Sequence, residues 1–301
     1  MIKENFTAEN IKCSVYKPEG EIKAVLLFIH GMTEHFGRYE KFAEYLSENK
    51  IALVGYDLKG HGENKLGNTA SFGEGGWSKS LKDIDVVYAY LKNEYNNIPL
   101  FISGFSLGSF LVREYLSLYK NDFSGAIIMG TGHQPSFILS VIKSIIKGEI
   151  KKSGFNSSTD LVNKLSFETY NGKFKNIKTS FDWLIQDEAE REKYISDNLC
   201  AENISAGLFY DLLDAMQRAG KNKIFEKYNK NIPYLLISGS SDPVGDFTKG
   251  VKNLDKVMKS KGLKVELQFI DEARHDLLHE EVSFAADKAR NIICDFLLKN
   301  V

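Results

Sequence analysis

One serine of the chain lies in a context that can make a hydroxyl group nucleophilic. Ser106 is the central residue of the pentapeptide GFSLG, which follows the apolar run PLFIS and precedes the helical run SFLVREYLSLY. A strand that turns sharply into a helix presents such a serine at the helix N-terminus, where the helix dipole favours developing negative charge. The pattern predicts Ser106 as the nucleophile of covalent catalysis, against the alternative of a serine in an ordinary strand-to-helix loop.

A serine nucleophile needs a general base, and the base needs an acidic group that orients it. In chains with this turn, the acid and then the histidine follow the serine. His275 comes a short loop after the last predicted strand, and Asp242 follows the strand before that one. We therefore predict Asp242 as the acid and His275 as the base, with Asp246 as the alternative acid. His275 and His279 have the spacing of an HExxH zinc site, but Asp276 stands where that motif has glutamate, so we expect no metal.

Two backbone N–H groups must stabilise the negative charge that develops on the attacked carbonyl oxygen. One is expected from the residue after the nucleophile, Leu107. The other is expected from Met32, in the loop after the first parallel strand. The main chain donates at both positions, so these side chains matter little for this role. The mechanism needs no cofactor, and we expect none.

Short apolar runs recur along the chain and predict the sheet that positions these residues. Runs that are apolar throughout are typical of parallel strands buried on both faces, and segments with helical spacing separate them. This alternation predicts a mostly parallel sheet flanked by helices. At the front, apolar residues 11, 13 and 15 alternate with polar ones, as in an antiparallel edge hairpin, and a last helix is predicted over 281–299. The predicted parallel strands are 24–30, 51–56, 99–105, 126–129, 234–238 and 265–270.

A long segment, 133–231, separates the fourth and fifth of these strands and contains no convincing parallel strand. It is predicted to form a helical cap, inserted over the carboxyl ends of the strands, where open α/β sheets bind their ligands. Residues 1–132 and 232–301 then form the core domain.

The first helix of the predicted cap has a mainly apolar face. In SFILSVIKSIIK, residues 136–147, most apolar side chains fall on one side of the helix and the lysines on the other. Such a face can lead an acyl chain to the site or make transient contact with a membrane surface, and it can also simply pack on the core. His133, Phe137 and Ile142 are the predicted substrate-binding residues of this region.

Composition narrows the classes of partner. The 39 lysines and arginines nearly match the 40 aspartates and glutamates, and the net charge of −1 gives no reason to expect a nucleic-acid partner. Three cysteines, at 13, 200 and 294, form no CxxC pair and predict reduced, mostly buried thiols. The polar start of the chain and the lack of a long apolar run predict a soluble, cytoplasmic protein. The oligomeric state stays open.

Four motifs resemble those of one group of hydrolases. HGMTEH at 30–35, with Arg38 and Tyr39 after it, resembles the HGxxEHxxRY signature of monoglyceride lipases, which is also found in related bacterial lysophospholipases and serine aminopeptidase-like hydrolases. DLKGHG at 57–62, GSSD at 239–242 and ARHDLLHE at 273–280 resemble further motifs of the group, in the same order. The resemblance covers about 24–132 and 232–299.

This resemblance implies the α/β-hydrolase fold, with Ser106, Asp242 and His275 as a catalytic triad and with Met32 and Leu107 as the oxyanion donors. It implies a carboxylic ester hydrolase that forms an acyl-enzyme and acts on a small acyl ester, a monoacylglycerol or a lysophospholipid. An aminopeptidase, a thioesterase or an acyltransferase on the same triad is the alternative. A binding protein that has lost catalysis is a further alternative, which the intact triad positions disfavour.

Overall fold

The apolar runs of the sequence form one eight-stranded sheet in a computed structural model, which describes residues 1–65, 67–201 and 203–301. The sheet strands, and the separate two-residue strands β5 and β8, have these bounds: β1 Ile2–Ala8, β2 Ile11–Lys17, β3 Ala24–Ile29, β4 Ile51–Tyr56, β5 Thr69–Ala70, β6 Leu100–Phe105, β7 Gly125–Met129, β8 Asn203–Ile204, β9 Pro233–Gly239 and β10 Lys264–Ile270. The sheet order is β1-β2-β4-β3-β6-β7-β9-β10. β2 pairs antiparallel with β1 and with β4, and the other neighbours pair parallel.

Helices connect the strands and flank the sheet. Their bounds are α1 Glu40–Glu48, α2 Gly76–Glu94, α3 Leu107–Leu118, α4 Ser136–Ser153, α5 Asp160–Asn163, α6 Thr169–Asn171, α7 Glu188–Ser196, α8 Ala206–Ala219, α9 Lys249–Ser260 and α10 Ala285–Lys299. Short 3₁₀ turns cover Phe36–Tyr39, Gly62–Asn64, Asn222–Lys227 and Val282–Phe284, and one π-helical turn covers Lys164–Glu168.

The continuous apolar runs correspond to the strands in the middle of the sheet. Every residue of β3, β4, β6 and β7 is buried, as expected for parallel strands that are covered on both faces. The carboxyl ends of the parallel strands meet at one edge of the sheet, and the loops that carry the predicted site residues leave from there. The predicted mostly parallel sheet with flanking helices is confirmed, as is the front hairpin of β1 and β2.

The last helix begins later than its apolar spacing predicted. α10 starts at Ala285, because Ser283 and Phe284 both have a positive φ, 56° and 57°, and cannot continue a regular helix. The residues before it form a short 3₁₀ turn instead.

The segment 133–231 is mainly helical, and within it α4 packs against α8, which also packs against α3. The expectation that this segment has no parallel strand is wrong at one point. Its residues Asn203 and Ile204 pair in parallel with Thr69 and Ala70. This pair is too short for a pattern of alternation to reveal it, and it ties the segment to the loop after β4. The division into a core and a cap stays a prediction.

Within the described residues, none of the helices has both the length and the apolar character that crossing a membrane requires.

Candidate active site

The turn between β6 and α3 holds Ser106 in a strained backbone conformation. Its φ of 52° and ψ of −118° lie in a region that residues with a side chain rarely occupy. Two glycines make this turn possible. A Cβ atom at Gly104 would overlap the backbone of Gly108, and one at Gly108 would overlap that of Ile29. The Ser106 N–H donates to the carbonyl of Met129 at 3.0 Å, which fixes the residue at the start of α3.

Two loops bring a histidine and a carboxylate to the serine hydroxyl. Nε2 of His275 lies 2.8 Å from Oγ of Ser106, and Nδ1 of His275 lies 2.9 Å from Oδ2 of Asp242. These distances suit the tautomer in which Nδ1–H donates to the carboxylate and Nε2 accepts the serine proton. The structure therefore brings the three residues predicted as a triad into one hydrogen-bonded row.

Asp242 is itself held in place, whereas the alternative acid is not. The Asp242 side chain is fully buried; its Oδ1 accepts the N–H of Val244 at 2.8 Å, and its Oδ2 accepts the Ser238 hydroxyl at 3.2 Å. Asp246 has a side chain that is 62% exposed, and it lies at the surface beside Lys249. Of these two carboxylates, Asp242 is the one in contact with the histidine.

Aromatic rings enclose the imidazole of His275, which is 1% exposed. The ring centroid of Phe105 lies 4.9 Å from that of His275, and the centroid of Trp183 lies 5.1 Å away. Burial of this kind limits the access of water to the base and strengthens the hydrogen bonds that orient it.

The two predicted oxyanion donors border the same cavity as the serine. Met32, Ser106 and Leu107 all line it. Leu107 is the first residue of α3, where backbone N–H groups have no partner inside the helix. The loop that carries Met32 is held by the N–H of Gly31, which donates to Oε1 of Glu34 at 2.5 Å.

A buried polar network extends from that loop to the segment after the predicted base. The Arg38 guanidinium pairs with Glu34 and lies 3.1 Å from Oδ2 of Asp276. The Tyr39 hydroxyl donates to Glu34 at 2.7 Å, and Nδ1 of His279 lies 2.9 Å from Asp276. Burial opposes the charge of Asp276, but His279 and Arg38 together hold the pKa of this carboxyl well below its usual range. Because Asp276 directly follows the predicted base, the network fixes two loops of the site relative to each other.

Two further histidines, His30 and His61, are buried and contact backbone groups. His30 donates from Nδ1 to the carbonyl of Gly31 at 2.7 Å and accepts the N–H of Leu58 at Nε2, at 2.9 Å. Burial lowers the pKa of His30 to about 4 and that of His61 to about 3, so both are neutral near pH 7. Their positions fit a role in shaping the turns around the site.

A mainly apolar cavity of about 340 Å³ opens at Ser106 and runs under the segment 133–231. His133 and Ile142, two of the three predicted substrate-binding residues, line it, and Lys173 and Asp246 are its charged members. The other apolar residues of the lining are Phe110, Pro135, Ile138, Leu139, Leu165, Tyr170, Trp183, Phe209, Leu212, Leu213, Met216, Pro243 and Val244. A pocket of this size and character can enclose an acyl chain.

Phe137, the third predicted substrate-binding residue, does not line this cavity. Its side chain is 77% exposed and lies outside the cavity lining. α4 turns a different row inward: Leu139 and Ile146 are buried, and Ile142 between them is half-buried. The rows of a helix repeat every three to four residues, and Phe137 lies off the row that packs.

The matches to known proteins agree with this geometry. Residues 20–282 match the family model described as "Serine aminopeptidase, S33". The chain belongs to this family of hydrolases.

Curated relatives of this S33-family chain carry names of ester hydrolases. A monoglyceride lipase homolog of Monkeypox virus is 26% identical over 278 residues, which are 92% of this chain and 90% of the viral protein. The monoglyceride lipase of Rattus norvegicus is 25% identical over 279 residues, 92% of this chain and 83% of the rat protein. A putative monoglyceride lipase of Schizosaccharomyces pombe is 37% identical over 230 residues, 73% of this chain and 54% of the yeast protein. These matches support an ester hydrolase of the monoglyceride lipase-like group.

Solved structures confirm the predicted α/β-hydrolase fold. A thermostable carboxyl esterase from Bacillus coagulans superposes with a TM-score of 0.85 at 22% identity, covering 100% of this chain and 99% of the esterase. A lipase in its open form gives a TM-score of 0.86 at 21% identity, covering 99% of each chain.

Sequence reasoning missed two parts of the site in this S33-family chain. Trp183, which no sequence-based prediction included, is buried against His275 and lines the cavity. It lies in a loop, where no periodic pattern could have singled it out. α8 also contributes to the lining through Phe209, Leu213 and their neighbours. Their spacing of three and four residues was a signal that the sequence did offer.

Proposed function

We propose that this chain is a serine hydrolase that cleaves carboxylic esters through an acyl-enzyme, with Ser106, His275 and Asp242 as its catalytic triad. The observation that carries the proposal is the pair of hydrogen-bond distances at His275, 2.8 Å to the serine and 2.9 Å to the aspartate. The row opens into an apolar cavity. Membership of the S33 family supports the same chemistry.

In the proposed reaction, Nε2 of His275 takes the Ser106 proton while Oγ forms a bond to the carbonyl carbon of the ester. The N–H groups of Met32 and Leu107 stabilise the oxyanion. Its collapse breaks the bond to the alcohol oxygen, and the alcohol leaves with the proton from His275. A water molecule, deprotonated by His275, then attacks the acyl carbon and releases the acid and the free serine. Asp242 orients the imidazole and stabilises its charged form throughout.

The preferred substrate in this proposal is a monoacylglycerol or another ester with one acyl chain. The relatives named as monoglyceride lipases and the mainly apolar lining of the cavity support it. The cavity volume of about 340 Å³ falls in the range of pockets that enclose small ligands.

An aminopeptidase is the alternative that the family description raises, and its substrate amine would need an acidic partner. Asp187, Glu188 and Glu190 are acidic residues of the segment 133–231 that could fill this role by type. Asp187 caps α7, Glu188 pairs with Lys178, and Glu190 pairs with Lys193. They lie outside the lining of the cavity, and the carboxylate that does line it, Asp246, is 62% exposed and lies beside Lys249, so the lining favours the ester.

The exposed side of α4 supports transient contact with a membrane surface. Phe137, Ile138, Val141 and Ile145 are each at least 44% exposed, although all four are large apolar side chains. An apolar strip on a helix next to the cavity can dip into a lipid surface where such substrates reside.

The decisive experiment compares the native chain with Ser106→Ala on p-nitrophenyl esters, monoacylglycerols and lysophospholipids, with a fluorophosphonate probe as a second readout. We expect the probe to label the native chain and not the variant, and the hydrolysis rate to fall by about 10³-fold or more. A matched Ser109→Ala variant, which alters a neighbouring buried serine, should keep the label. Full esterase activity in Ser106→Ala would reject the mechanism, and faster cleavage of an aminoacyl amide than of any ester would reject the substrate class.

A further inference from the structure

Three side chains that could bind a metal ion meet outside the predicted catalytic row. Nε2 of His35 lies 2.7 Å from Oδ2 of Asp197, and ligand atoms of His35, Asp197 and Cys200 all lie within 4.8 Å of one another. His35 belongs to the loop after β3, and the other two belong to the turn after α7. His35 and Asp197 are 162 residues apart. The sequence-based expectation of no metal considered only spacing along the chain, which cannot reveal such a cluster.

The donor set suits a zinc-like cation. Imidazole nitrogen, carboxylate oxygen and thiolate sulfur are the ligands that zinc takes, commonly in tetrahedral sites. Bond lengths of about 2.0 to 2.3 Å would place the ligand atoms roughly 3.4 to 3.6 Å apart around the ion. His35 and Asp197 would therefore need to separate by less than about 1 Å. Three protein ligands leave the fourth position for water.

Hydrogen bonds hold the turn that carries two of the ligands, and the turn borders a cavity. The N–H of Leu199 donates to Oδ1 of Asp197 at 2.8 Å, and the N–H of Cys200 donates to the Asp197 carbonyl at 3.0 Å. A cavity of about 570 Å³ is lined by His35 and Leu199, and it gives an ion a route to the cluster.

The charges around the cluster can accommodate a dication. Zinc with one carboxylate and one thiolate is neutral overall, so the partly buried site would carry no net charge. Burial raises the pKa of the Cys200 thiol well above its usual range, while Arg38 and Lys65 act in the opposite direction. A bound cation would displace the thiol proton. The charge of Arg38 is already matched by Glu34 and Asp276.

We propose that His35, Asp197 and Cys200 form a binding site for a zinc-like divalent cation, which ties the turn after α7 to the loop after β3. Besides the contact between His35 and Asp197, hydrogen bonds from the turn and from Tyr194 of α7 already reach the loop after β3. The N–H of Ala201 donates to the Thr33 carbonyl at 2.9 Å, and the Thr33 and Tyr194 hydroxyls lie 2.7 Å apart. The cation strengthens this junction in the same loop that carries Met32, which precedes His35 by three residues. Because it binds the folded chain, it raises Tm.

The test uses the full chain, freed of metal with a chelator and carrying no affinity tag. Zinc is titrated by calorimetry, and Co²⁺ is added as a spectroscopic probe, since a thiolate bond to cobalt gives a charge-transfer band in the near ultraviolet. Cys200→Ser and Asp197→Asn each remove one ligand. Cys294→Ser, which alters another buried thiol, is the matched control.

We expect one zinc ion per chain, the cobalt band, and a higher Tm with zinc. The band should vanish in Cys200→Ser, and zinc affinity should fall by at least about tenfold in both ligand variants but not in Cys294→Ser. No binding to the native chain, binding without the cobalt band, or binding that Cys200→Ser leaves unchanged overturns the proposal. If Cys200→Ser does not fold, Asp197→Asn and the cobalt spectrum of the native chain decide it.

Discussion

The loop after β3 and helix α4 both border the candidate site, but different kinds of interaction hold them in place. The loop rests on a buried polar network, in which the side chains of Glu34 and Asp276 are 2% exposed and that of Arg38 is 8% exposed. α4 instead buries one apolar row and leaves Phe137 and Val141 exposed. Charged groups buried in a network tolerate little change, whereas an apolar helix face tolerates much. From this comparison we infer that the loops determine the position of the catalytic groups, whereas α4 influences which substrates reach them.

The strongest test of the loop side neutralises each of the two candidate acids, Asp242 and Asp246, in a separate variant. Asp242→Asn should lower kcat by about 10⁴-fold, because an amide cannot hold the required tautomer of His275. Asp246→Asn should stay within about twofold on a short p-nitrophenyl ester, since its side chain is 62% exposed and outside the row. Initial rates of the two purified variants measure both effects. Equal losses in the two variants would contradict the assignment of the acid.

The next test removes the centre of the buried network. Arg38→Met leaves the carboxylates of Glu34 and Asp276 without their partner, which should lower the free energy of unfolding by about 3 to 5 kcal/mol. Lys299→Met, which breaks an exposed pair with Glu266, should change it by less than about 1 kcal/mol. Urea denaturation of both variants checks the contrast. A loss in Arg38→Met no greater than in Lys299→Met would show that the network is not what holds the loop.

The same contrast explains what the sequence could predict. Strands such as β3 and β6, and the turn at Ser106, are encoded by short continuous patterns, because burial on both faces and the needs of one turn act locally. Asp242 and His275 followed from their order along the chain. The inward row of α4 did not, because Phe137 and Ile142 are equally apolar.

Contacts between segments that are distant along the chain could not be predicted from the sequence either. Trp183 reaches His275 from a loop, and the β8 pairing with β5 involves only two residues on each side. Arg38 and Asp276 are 238 residues apart, and only the folded sheet brings their loops together. Local patterns contain no information on such partners.

A third test concerns His61, one of the two buried histidines that are neutral near pH 7. Burial lowers the pKa of His61 from 6.5 to about 3, so below about pH 6.5 the unfolded chain binds a proton that the folded chain does not. Its contribution to stability is therefore complete above about pH 6.5 and is lost as the pH falls toward 3. In a His61→Gln variant, the free energy of unfolding should fall less steeply between pH 6 and pH 4, by up to about 1.4 kcal/mol for each pH unit. Urea denaturation at several pH values measures both slopes, and identical slopes would contradict a buried neutral His61.

The smallest effect on catalysis is expected on the outer side of α4. A Phe137→Glu, Val141→Glu double variant places charge on exposed positions, so turnover of a soluble short-chain ester should stay within about twofold of the native rate. Binding to phospholipid vesicles should weaken by at least about tenfold, because the helix loses the apolar strip that would enter the lipid. Ile142→Glu is the matched comparison, since this residue lines the cavity and its charge should slow the cleavage of long-chain esters instead. Vesicle sedimentation and ester turnover together separate the two sides of the helix. Vesicle binding that the double variant leaves unchanged would show that α4 only packs on the rest of the protein, and the contrast with the polar loops would then concern stability alone.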